Sequence, residues 1–335
     1  MSYDCVVCVK QVPDTSNITG EAMKADGTVN RAALPAIFNP EDLHALEAAL
    51  AVKEEYGGTV TVLTMGPPGA CEVLRDCLYR GADRAILITD RRAAASDTLA
   101  TSYILAQAVR KIGRYDLVFC GRQAIDGDTA QVGPQLAEKL GIPQITYFEQ
   151  LIELVPPQPP KGKGGSSSSP PLLKARSGGA TTASISGALA RIRRNVGNGW
   201  EILETRLPAL ITVLDSANDP RPRAARRVMR VKRARSAAEV AAEVGAALTD
   251  ATPDQKEKEI GRRLEALQMQ GLLIDQWNLD DVEADLAWCG MAGSPTKVHR
   301  VQSIVLTKDG YTDIEPTEAG VRKMIQELIV DHTIG

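Results

Sequence analysis

The chain is poor in aromatic residues and in histidine, and it carries little net charge. Phenylalanine, tyrosine and tryptophan make up 4% of its 335 residues, so aliphatic side chains must fill the core. The formal net charge of −3 gives no reason to expect a nucleic acid or an anionic membrane as partner. With 44% apolar and 24% charged residues, the composition is typical of a soluble globular protein. The length suits about two domains.

Long apolar runs and targeting signals are also missing. No run approaches the roughly 18 residues that a membrane-spanning helix needs. The first residues, Met1–Asp4, lack the basic region of a secretory signal. We therefore expect a cytoplasmic protein that does not insert into a membrane.

The cysteines and histidines do not indicate a metal site or a nucleophile. Only Cys5 and Cys8, among six cysteines, have the spacing of a metal-binding or redox pair. They fall inside a predicted buried strand, Tyr3–Val9, in which these two positions point to opposite faces of the sheet. The three histidines are scattered and have no neighbouring catalytic partner. We expect no bound metal and no hydrolytic activity.

The first 150 residues alternate predicted strands with predicted helices. The strands are Tyr3–Val9, Thr59–Thr64, Arg84–Thr89, Tyr115–Cys120 and Ile145–Phe148. The first helix begins at Asn39-Pro40, with Asn39 as its expected N-cap, and the others cover Cys71–Tyr79, Asp97–Ile112 and Gln131–Leu140. This alternation predicts an α/β fold with a doubly wound, mainly parallel sheet. Ligands of such sheets bind beyond the carboxyl ends of the strands.

The second half of the chain departs from this pattern. Residues 156–184 are rich in proline, glycine and serine, and predict a flexible loop inserted into an α/β domain that covers 1–220. Strands are predicted to resume near Arg191 and to include Glu201–Arg206 and Ala209–Leu214. Residues 221–285 hold a basic run and two predicted helices, Ser236–Leu248 and Pro253–Gln270. Residues 286–335 form an extended arm that ends in a predicted helix, Thr317–Ile329.

The basic run, Arg221–Arg235, contains no aromatic residues that could stack on bases. A solvated helix face or a surface that docks another protein therefore explains it better than nucleic-acid binding does.

Two common nucleotide motifs are absent, but one loop has features of a phosphate site. There is no G-x-G-x-x-G after the first strand and no G-x-x-x-x-G-K-[ST] anywhere. Gly121–Pro134 joins a strand to a helix through small and polar residues, which leave backbone amides free for a phosphate. Thr129 and Gln131 could add hydrogen bonds, whereas Asp126 and Asp128 are expected to cap turns or accept from hydroxyl or amide groups. The alternative is a tight turn with Asx capping, and both interpretations stay open.

Two further segments follow predicted strands at the same edge. Ser96–Ser102 opens a helix and is either a hydroxyl-rich anion cradle or an N-cap at Ser96 or Asp97. Met65–Pro68 is a turn in which Gly66 permits the close approach of a ligand.

These stretches resemble the beta subunit of electron transfer flavoproteins. Val9–Thr15 resembles the opening of that family, Asn39–Asp42 with Ala45 and Glu47 its first helix, and Gly121–Pro134 its nucleotide-binding signature. The resemblance covers residues 3 to about 148 and resumes over Leu207–Val213, Pro220–Arg221 and Gly293–Val298. It implies a Rossmann-like fold of the adenine-nucleotide-binding type, to which this chain adds a helical insertion.

The resemblance also implies a heterodimer with an alpha subunit that holds a FAD. In the ordinary branch of the family the beta subunit binds a structural AMP. In the bifurcating and nitrogen-fixation-associated branch it binds a second FAD. Thr64–Pro68, Ser96–Ser102 and the full string Gly121–Pro134 resemble the second branch more closely. FAD is therefore the implied cofactor, and AMP is the alternative.

The implied function is electron transfer from NADH to the alpha-subunit flavin and to a low-potential acceptor. One alternative is an ordinary electron shuttle from acyl-CoA-type dehydrogenases. A further alternative is an adenine-nucleotide-binding module without a redox role. The implied partners are the alpha subunit and a dehydrogenase or quinone oxidoreductase, and NADH oxidation would belong to the heterodimer.

The resemblance and the strand ends together predict the cofactor contacts. They are Cys8, Lys10, Asn39, Asp42, Met65, Gly66, Asp97, Thr98, Thr101, Gly121, Arg122, Gln123, Ala124, Ile125, Asp126, Gly127, Asp128, Thr129, Ala130, Gln131 and Val132. Residues 236–275 are inserted where the family carries the loop that docks on partner dehydrogenases, so the resemblance does not name the partner.

Overall fold

The structure is a computed structural model and describes residues 1–14, 34–157, 187–296 and 314–330. Most of the predicted loop 156–184 lies outside the described residues, as do 297–313 and 331–335 of the predicted arm.

Eleven strands and eight α-helices are found in the described part of the chain. The strands are β1 (Cys5–Cys8), β2 (Gln11–Pro13), β3 (Ala36–Phe38), β4 (Val60–Met65), β5 (Arg84–Ile88), β6 (Leu117–Gly121), β7 (Gln144–Val155), β8 (Leu189–Asn195), β9 (Trp200–Arg206), β10 (Ala209–Val213) and β11 (Asp275–Trp277). The helices are α1 (Pro40–Tyr56), α2 (Cys71–Arg80), α3 (Thr98–Ile112), α4 (Val132–Leu140), α5 (Ala225–Val231), α6 (Ala237–Ala247), α7 (Pro253–Met269) and α8 (Glu318–Val330).

Nine of the strands form one sheet in the order β11-β5-β4-β1-β6-β10-β7-β8-β9. Neighbours from β11 to β7 run parallel, whereas β8 and β9 are added antiparallel at one edge. The chain builds β1, β4 and β5 to one side and then crosses to β6 on the other side of β1. The prediction of a doubly wound, mainly parallel sheet is confirmed, and its switch point lies between β1 and β6.

The core has two halves, one on each face of the sheet. Helices α1 and α2 contribute Leu46 and Leu74 to one half, and helices α3 and α4 contribute Ile104 and Leu136 to the other. In β1, Cys5 belongs to the first half and Cys8 to the second. The predicted opposite orientation of these cysteines is therefore confirmed, and it follows from the two-residue period of a strand.

Several strand predictions need correction. The strand predicted at Ile145–Phe148 continues to Val155 as β7, with a register irregularity opposite Ile211 and Val213 and a positive φ of 59° at Tyr147. The strand continues past Phe148 because β8 pairs with it as far as Val155. Strands β2, β3 and β11 were not predicted, since three residues are too few to show a period.

The segment 221–285 is attached to the edge of the sheet. Its strand β11 pairs in parallel with β5. The first arginines of the basic run bind acidic side chains of the α/β part: Arg221 contacts Glu47 and Glu54, and Arg223 contacts Asp76. These two arginines therefore help to hold the segment 221–285 on the α/β part of the chain. Among the helices that the structure describes, none combines the length and apolarity that a membrane crossing requires.

Candidate functional site at the switch point of the sheet

A pocket of about 370 Å³ opens at the carboxyl edge of the sheet, beside the ends of β1 and β6. Among the predicted contacts, those that line it are Cys8, Lys10, Asp42, Met65, Asp97, Thr98, Thr101, Gly121, Arg122, Gln123, Ala124, Gly127, Thr129, Ala130, Gln131 and Val132. Six residues outside the prediction also line it: Val9, Leu63, Ser96, Leu105, Cys120 and Gly133. The structure places five predicted residues outside the lining: Asn39, Gly66, Ile125, Asp126 and Asp128. The pocket thus brings together segments far apart in sequence.

Asp42 holds the ends of the two central strands together. Its Oδ2 atom accepts the Lys10 N–H at 2.8 Å, just after β1, and its Oδ1 atom accepts the Gly121 N–H at 3.0 Å, at the end of β6. Burial raises the pKa of the Asp42 carboxyl to about 7, against the lowering effect of these hydrogen bonds. A Cβ at position 121 would lie 2.5 Å from Asp42 Oδ1, so only glycine allows this approach.

Asn39 holds the loop that follows β6. It occupies the N-cap position of α1, as predicted, but its side chain makes no capping hydrogen bond. Its Nδ2 atom donates to the Gln123 carbonyl at 2.8 Å, and its Oδ1 atom accepts the Ile125 N–H at 3.1 Å. The prediction that Asn39 caps the helix with its side chain is wrong, because the loop offers it two partners. Asn39 therefore shapes the pocket from behind the lining.

Glu41 is a site residue that the sequence reasoning did not select. It accepts the Gln123 N–H at 2.7 Å and pairs with Arg122 at 2.6 Å. It is buried, and it fixes the first turn of the Gly121–Pro134 loop from the start of α1. The string Asn39-Pro40-Glu41-Asp42 did contain a signal, because it places three polar side chains within four residues at one helix start.

Inside the loop, the two acidic residues bind side chains of the protein. Asp126 forms a 2.7 Å ion pair with Lys10, and Asp128 accepts from the Gln123 Nε2 atom at 3.0 Å. Asp128 and Ala130 have positive φ angles of 48° and 53°, which turn the chain toward the start of α4. Asp128 therefore accepts from an amide, in accordance with the prediction.

The segment before α3 lies across the pocket from this loop. Asp97 is the N-cap of α3, since its Oδ1 atom accepts the Ala100 N–H at 2.9 Å, which confirms the predicted cap. The Thr98 hydroxyl donates to Gln131 Oε1 at 2.7 Å and so links the two segments directly. The two candidate cradles share one pocket.

The pocket has an apolar wall and a polar wall. Aliphatic and thioether side chains form one part: Val9, Leu63, Met65, Leu105 and Val132. Hydroxyl and amide groups form another: Ser96, Thr98, Thr101, Gln123, Thr129 and Gln131. Apolar walls suit a flat ring, and convergent polar groups suit phosphates and sugar hydroxyls. Fold and pocket together define the class: a doubly wound α/β protein with a pocket at the switch point, where sheets of this kind bind their ligands.

Comparison with known proteins identifies the family within this class. Residues 26–153 match the electron transfer flavoprotein domain. The chain is 34% identical over 329 residues to the electron transfer flavoprotein subunit beta of Clostridium acetobutylicum, covering 98% of this chain and 99% of that protein. It is 38% identical over 301 residues to protein FixA of Azorhizobium caulinodans, covering 88% and 83% of the two chains. It is 36% identical over 296 residues to the caffeyl-CoA reductase-Etf complex subunit CarD of Acetobacterium woodii, covering 88% and 86%.

The chain therefore belongs to the beta-subunit family of electron transfer flavoproteins, in its FixA-like branch. It is an electron transfer subunit. The individual cofactor contacts and the identity of the cofactor in this subunit stay predictions.

Proposed function

We propose that this chain binds FAD in the pocket at the switch point and serves as the subunit through which electrons from NADH enter. One observation carries the proposal: the Ser96–Thr101 segment and the Gly121–Val132 loop line a single pocket. An adenosine monophosphate needs only one of these segments. A dinucleotide such as FAD is long enough to use both.

The residues present fit a phosphate-bearing group. The Nε atom of Arg122 is buried and has no hydrogen-bond partner among the residues that the structure describes. A buried donor of this kind favours an anionic acceptor, because an unpaired donor costs about 1–3 kcal/mol.

When bound, FAD would supply hydride and single-electron transfer chemistry. The residues of this chain would bind and orient it. Thr98, Thr101 and Gln131 offer hydrogen bonds along the extended part of the pocket. The aliphatic wall would exclude water from the ring system. Electrons would then leave toward the flavin of an alpha-type subunit and toward a low-potential acceptor.

The main alternative is a structural AMP. It is favoured by the loop after β6, whose first turn Asn39, Glu41 and Asp42 hold from the start of α1. In that case the chain would shuttle electrons from an acyl-CoA-type dehydrogenase. A nucleotide-binding module without a redox role is a third outcome of the same test.

The proposed partners are an alpha-type subunit and a dehydrogenase or quinone oxidoreductase. The relative CarD is, by its name, a subunit of a caffeyl-CoA reductase-Etf complex. Helix α5 follows the ion-paired arginines Arg221 and Arg223. Its own arginines Arg226 and Arg230 are exposed and would face an acidic partner.

The test is the cofactor content of the complex. The full chain is co-expressed with its alpha-type subunit, the purified complex is denatured, and FAD and AMP are quantified. Two FAD per heterodimer, with bleaching of flavin absorbance on addition of NADH, is the expected result. One FAD with one AMP would establish the alternative, and a subunit that retains neither nucleotide would overturn both.

A pair of matched variants distinguishes FAD binding from AMP binding in this pocket. Thr101→Val removes a pocket hydroxyl and keeps the shape, so it is expected to weaken FAD retention and to leave AMP retention unchanged. Thr205→Val, at a partly exposed position of β9 outside the pocket lining, is the control. Equal FAD retention in both variants would contradict the role of the Ser96–Thr101 segment.

A further inference from the structure

The first part of the predicted arm, residues 286–296, is seated against the loop that precedes α3. Cys289 is only 3% exposed and belongs to the core half that contains Ala93. The Gly290 N–H donates to the Ser96 hydroxyl at 3.1 Å. The arm segment therefore touches the same residues that begin the pocket wall.

Glycines allow the close fit of this segment. Gly290 has a φ of 59°, and a Cβ at this position would lie 2.2 Å from the Arg92 carbonyl oxygen. A Cβ on Gly293 would lie 2.1 Å from the carbonyl carbon of Trp288. A side chain at position 290 would therefore clash with the loop before α3, and one at position 293 would clash with the turn of the arm segment itself.

Ser294 stands at the centre of the contact. Its side chain is buried, with 5% exposure for the residue. Its hydroxyl accepts the Asp97 N–H at 2.8 Å and donates to the Gly290 carbonyl at 2.7 Å. One hydroxyl thus bonds the pocket residue Asp97 and the turn of the arm at the same time.

The Asp97 side chain also bonds both the start of α3 and the arm segment. Its Oδ1 atom caps α3 through the Ala100 N–H, and its Oδ2 atom accepts the Thr296 N–H at 3.0 Å. Burial acts to raise the pKa of Asp97, but these hydrogen bonds outweigh it and hold the pKa below its ordinary value. The carboxylate is therefore charged at neutral pH. The start of α3 and the arm share one anchor that also lines the pocket.

We propose that Ser294 is a positioning residue that couples the seating of arm segment 286–296 to nucleotide binding beside Asp97, Thr98 and Thr101. The inference rests on the proposed function, since it needs a nucleotide that reaches these residues. A nucleotide that orders the start of α3 must then also stabilise the seated position of the arm. Release of the arm must in turn lower the affinity for the nucleotide by the same factor. An alpha-type subunit that contacts the arm would sense the occupancy of the pocket by this route.

The first experiment needs no substitution. Hydrogen exchange of peptides that cover 286–296 is measured on the full chain, stripped of nucleotide and then saturated with FAD. Slower exchange with FAD is the expected result. Unchanged exchange in the presence of bound FAD would overturn the inference and leave the proposed function intact.

The second experiment compares two buried serines by calorimetric titration with FAD. Ser294→Ala is expected to weaken FAD binding roughly three- to tenfold, the range for loss of one hydrogen bond. Ser236→Ala is the matched control, because Ser236 is also buried and also accepts a backbone N–H, at the remote start of α6. It is expected to bind FAD like the unaltered chain.

The outcomes separate the two claims. Equal FAD affinity for Ser294→Ala and the unaltered chain would overturn the coupling alone. An unaltered chain that binds neither FAD nor AMP would overturn the proposed function, and the coupling with it.

Discussion

At the residue scale, the start of α1 organises the site. The side chains of Asn39, Glu41 and Asp42 form hydrogen bonds with the loop after β6 and with the strand ends rather than with their own helix. Helix-start residues are normally interpreted as caps, because Asn and Asp have that local preference. Here the side-chain amide of Asn39 instead binds two backbone groups more than 80 residues away, the Gln123 carbonyl and the Ile125 N–H.

This difference can be tested with Asn39→Asp. Aspartate caps helices as well as asparagine does, so a capping role predicts no loss of stability. The loop contact predicts a loss, because a carboxylate oxygen would replace the Nδ2 donor and face the Gln123 carbonyl. We expect the free energy of unfolding to fall by about 1–3 kcal/mol, measured by denaturant titration.

The control is Asn278→Asp. Asn278 is exposed, and its Oδ1 atom accepts the Asp281 N–H at 2.8 Å, a role that aspartate can keep. This variant should stay within about 0.5 kcal/mol of the unaltered chain. If Asn39→Asp proves as mild as Asn278→Asp, the loop contact does not contribute as described.

At the scale of elements, one arginine seats the helical insertion. Arg75 of α2 is 5% exposed and bonds both carboxylate oxygens of Glu239 in α6, at 3.0 and 2.9 Å. It also donates to the Ala234 carbonyl at 3.1 Å. Glu239 completes a capping box with Ser236, so the ion pair holds the first turn of α6 against α2.

Arg75→Met should loosen α6 from α2. Removal of the guanidinium leaves Glu239 partly buried without its partner, and we expect the free energy of unfolding to fall by about 3 kcal/mol, at the low end for a buried pair. Burial acts to raise the pKa of Glu239, but Arg75 outweighs it and keeps the pKa below 4.5. The contribution is therefore present above pH 4.5 and is lost as the pH falls below it. The difference between variant and unaltered chain should shrink between pH 6 and pH 3 in denaturant titrations.

Arg262→Met supplies the comparison. Arg262 pairs with Glu259 three residues away on α7, but its side chain is 71% exposed. Exposed pairs of this kind contribute little, so this variant should change the free energy of unfolding by less than about 0.5 kcal/mol. Similar losses for the two variants would mean that the buried pair does not seat α6.

At the scale of the whole molecule, the described end of the arm carries an apolar stripe on its surface. Val321, Ile325 and Ile329 recur every four residues along α8 and are 42–51% exposed. Such a stripe fits the obligate heterodimer that the family resemblance implies, because an alpha-type subunit would cover it.

Ile325→Lys should therefore weaken the complex. A charge in the middle of the stripe would have to be desolvated in the interface, and we expect at least a tenfold loss of alpha-type subunit in co-purification, on the order of 1.4 kcal/mol or more. Gln326→Lys adds the same charge at the next exposed position, off the stripe, and should leave the yield unchanged. Equal yields for both variants would show that another surface holds the heterodimer.

Local sequence patterns were enough to predict the doubly wound sheet, its long helices, the opposite faces of Cys5 and Cys8, and the loop after β6 as the candidate nucleotide site. These depend on short-range patterns: periods of two and 3.6 residues, caps and glycine punctuation. The family resemblance was also legible in contiguous strings. Three-residue strands could be assigned only from the tertiary structure: β11 pairs with β5 at the edge of the large sheet, and β2 pairs with β3 in a separate two-stranded sheet. The tertiary structure alone decided the roles of Asn39, Glu41 and Ser294, since their partners lie 80 to 200 residues away and no local pattern records them.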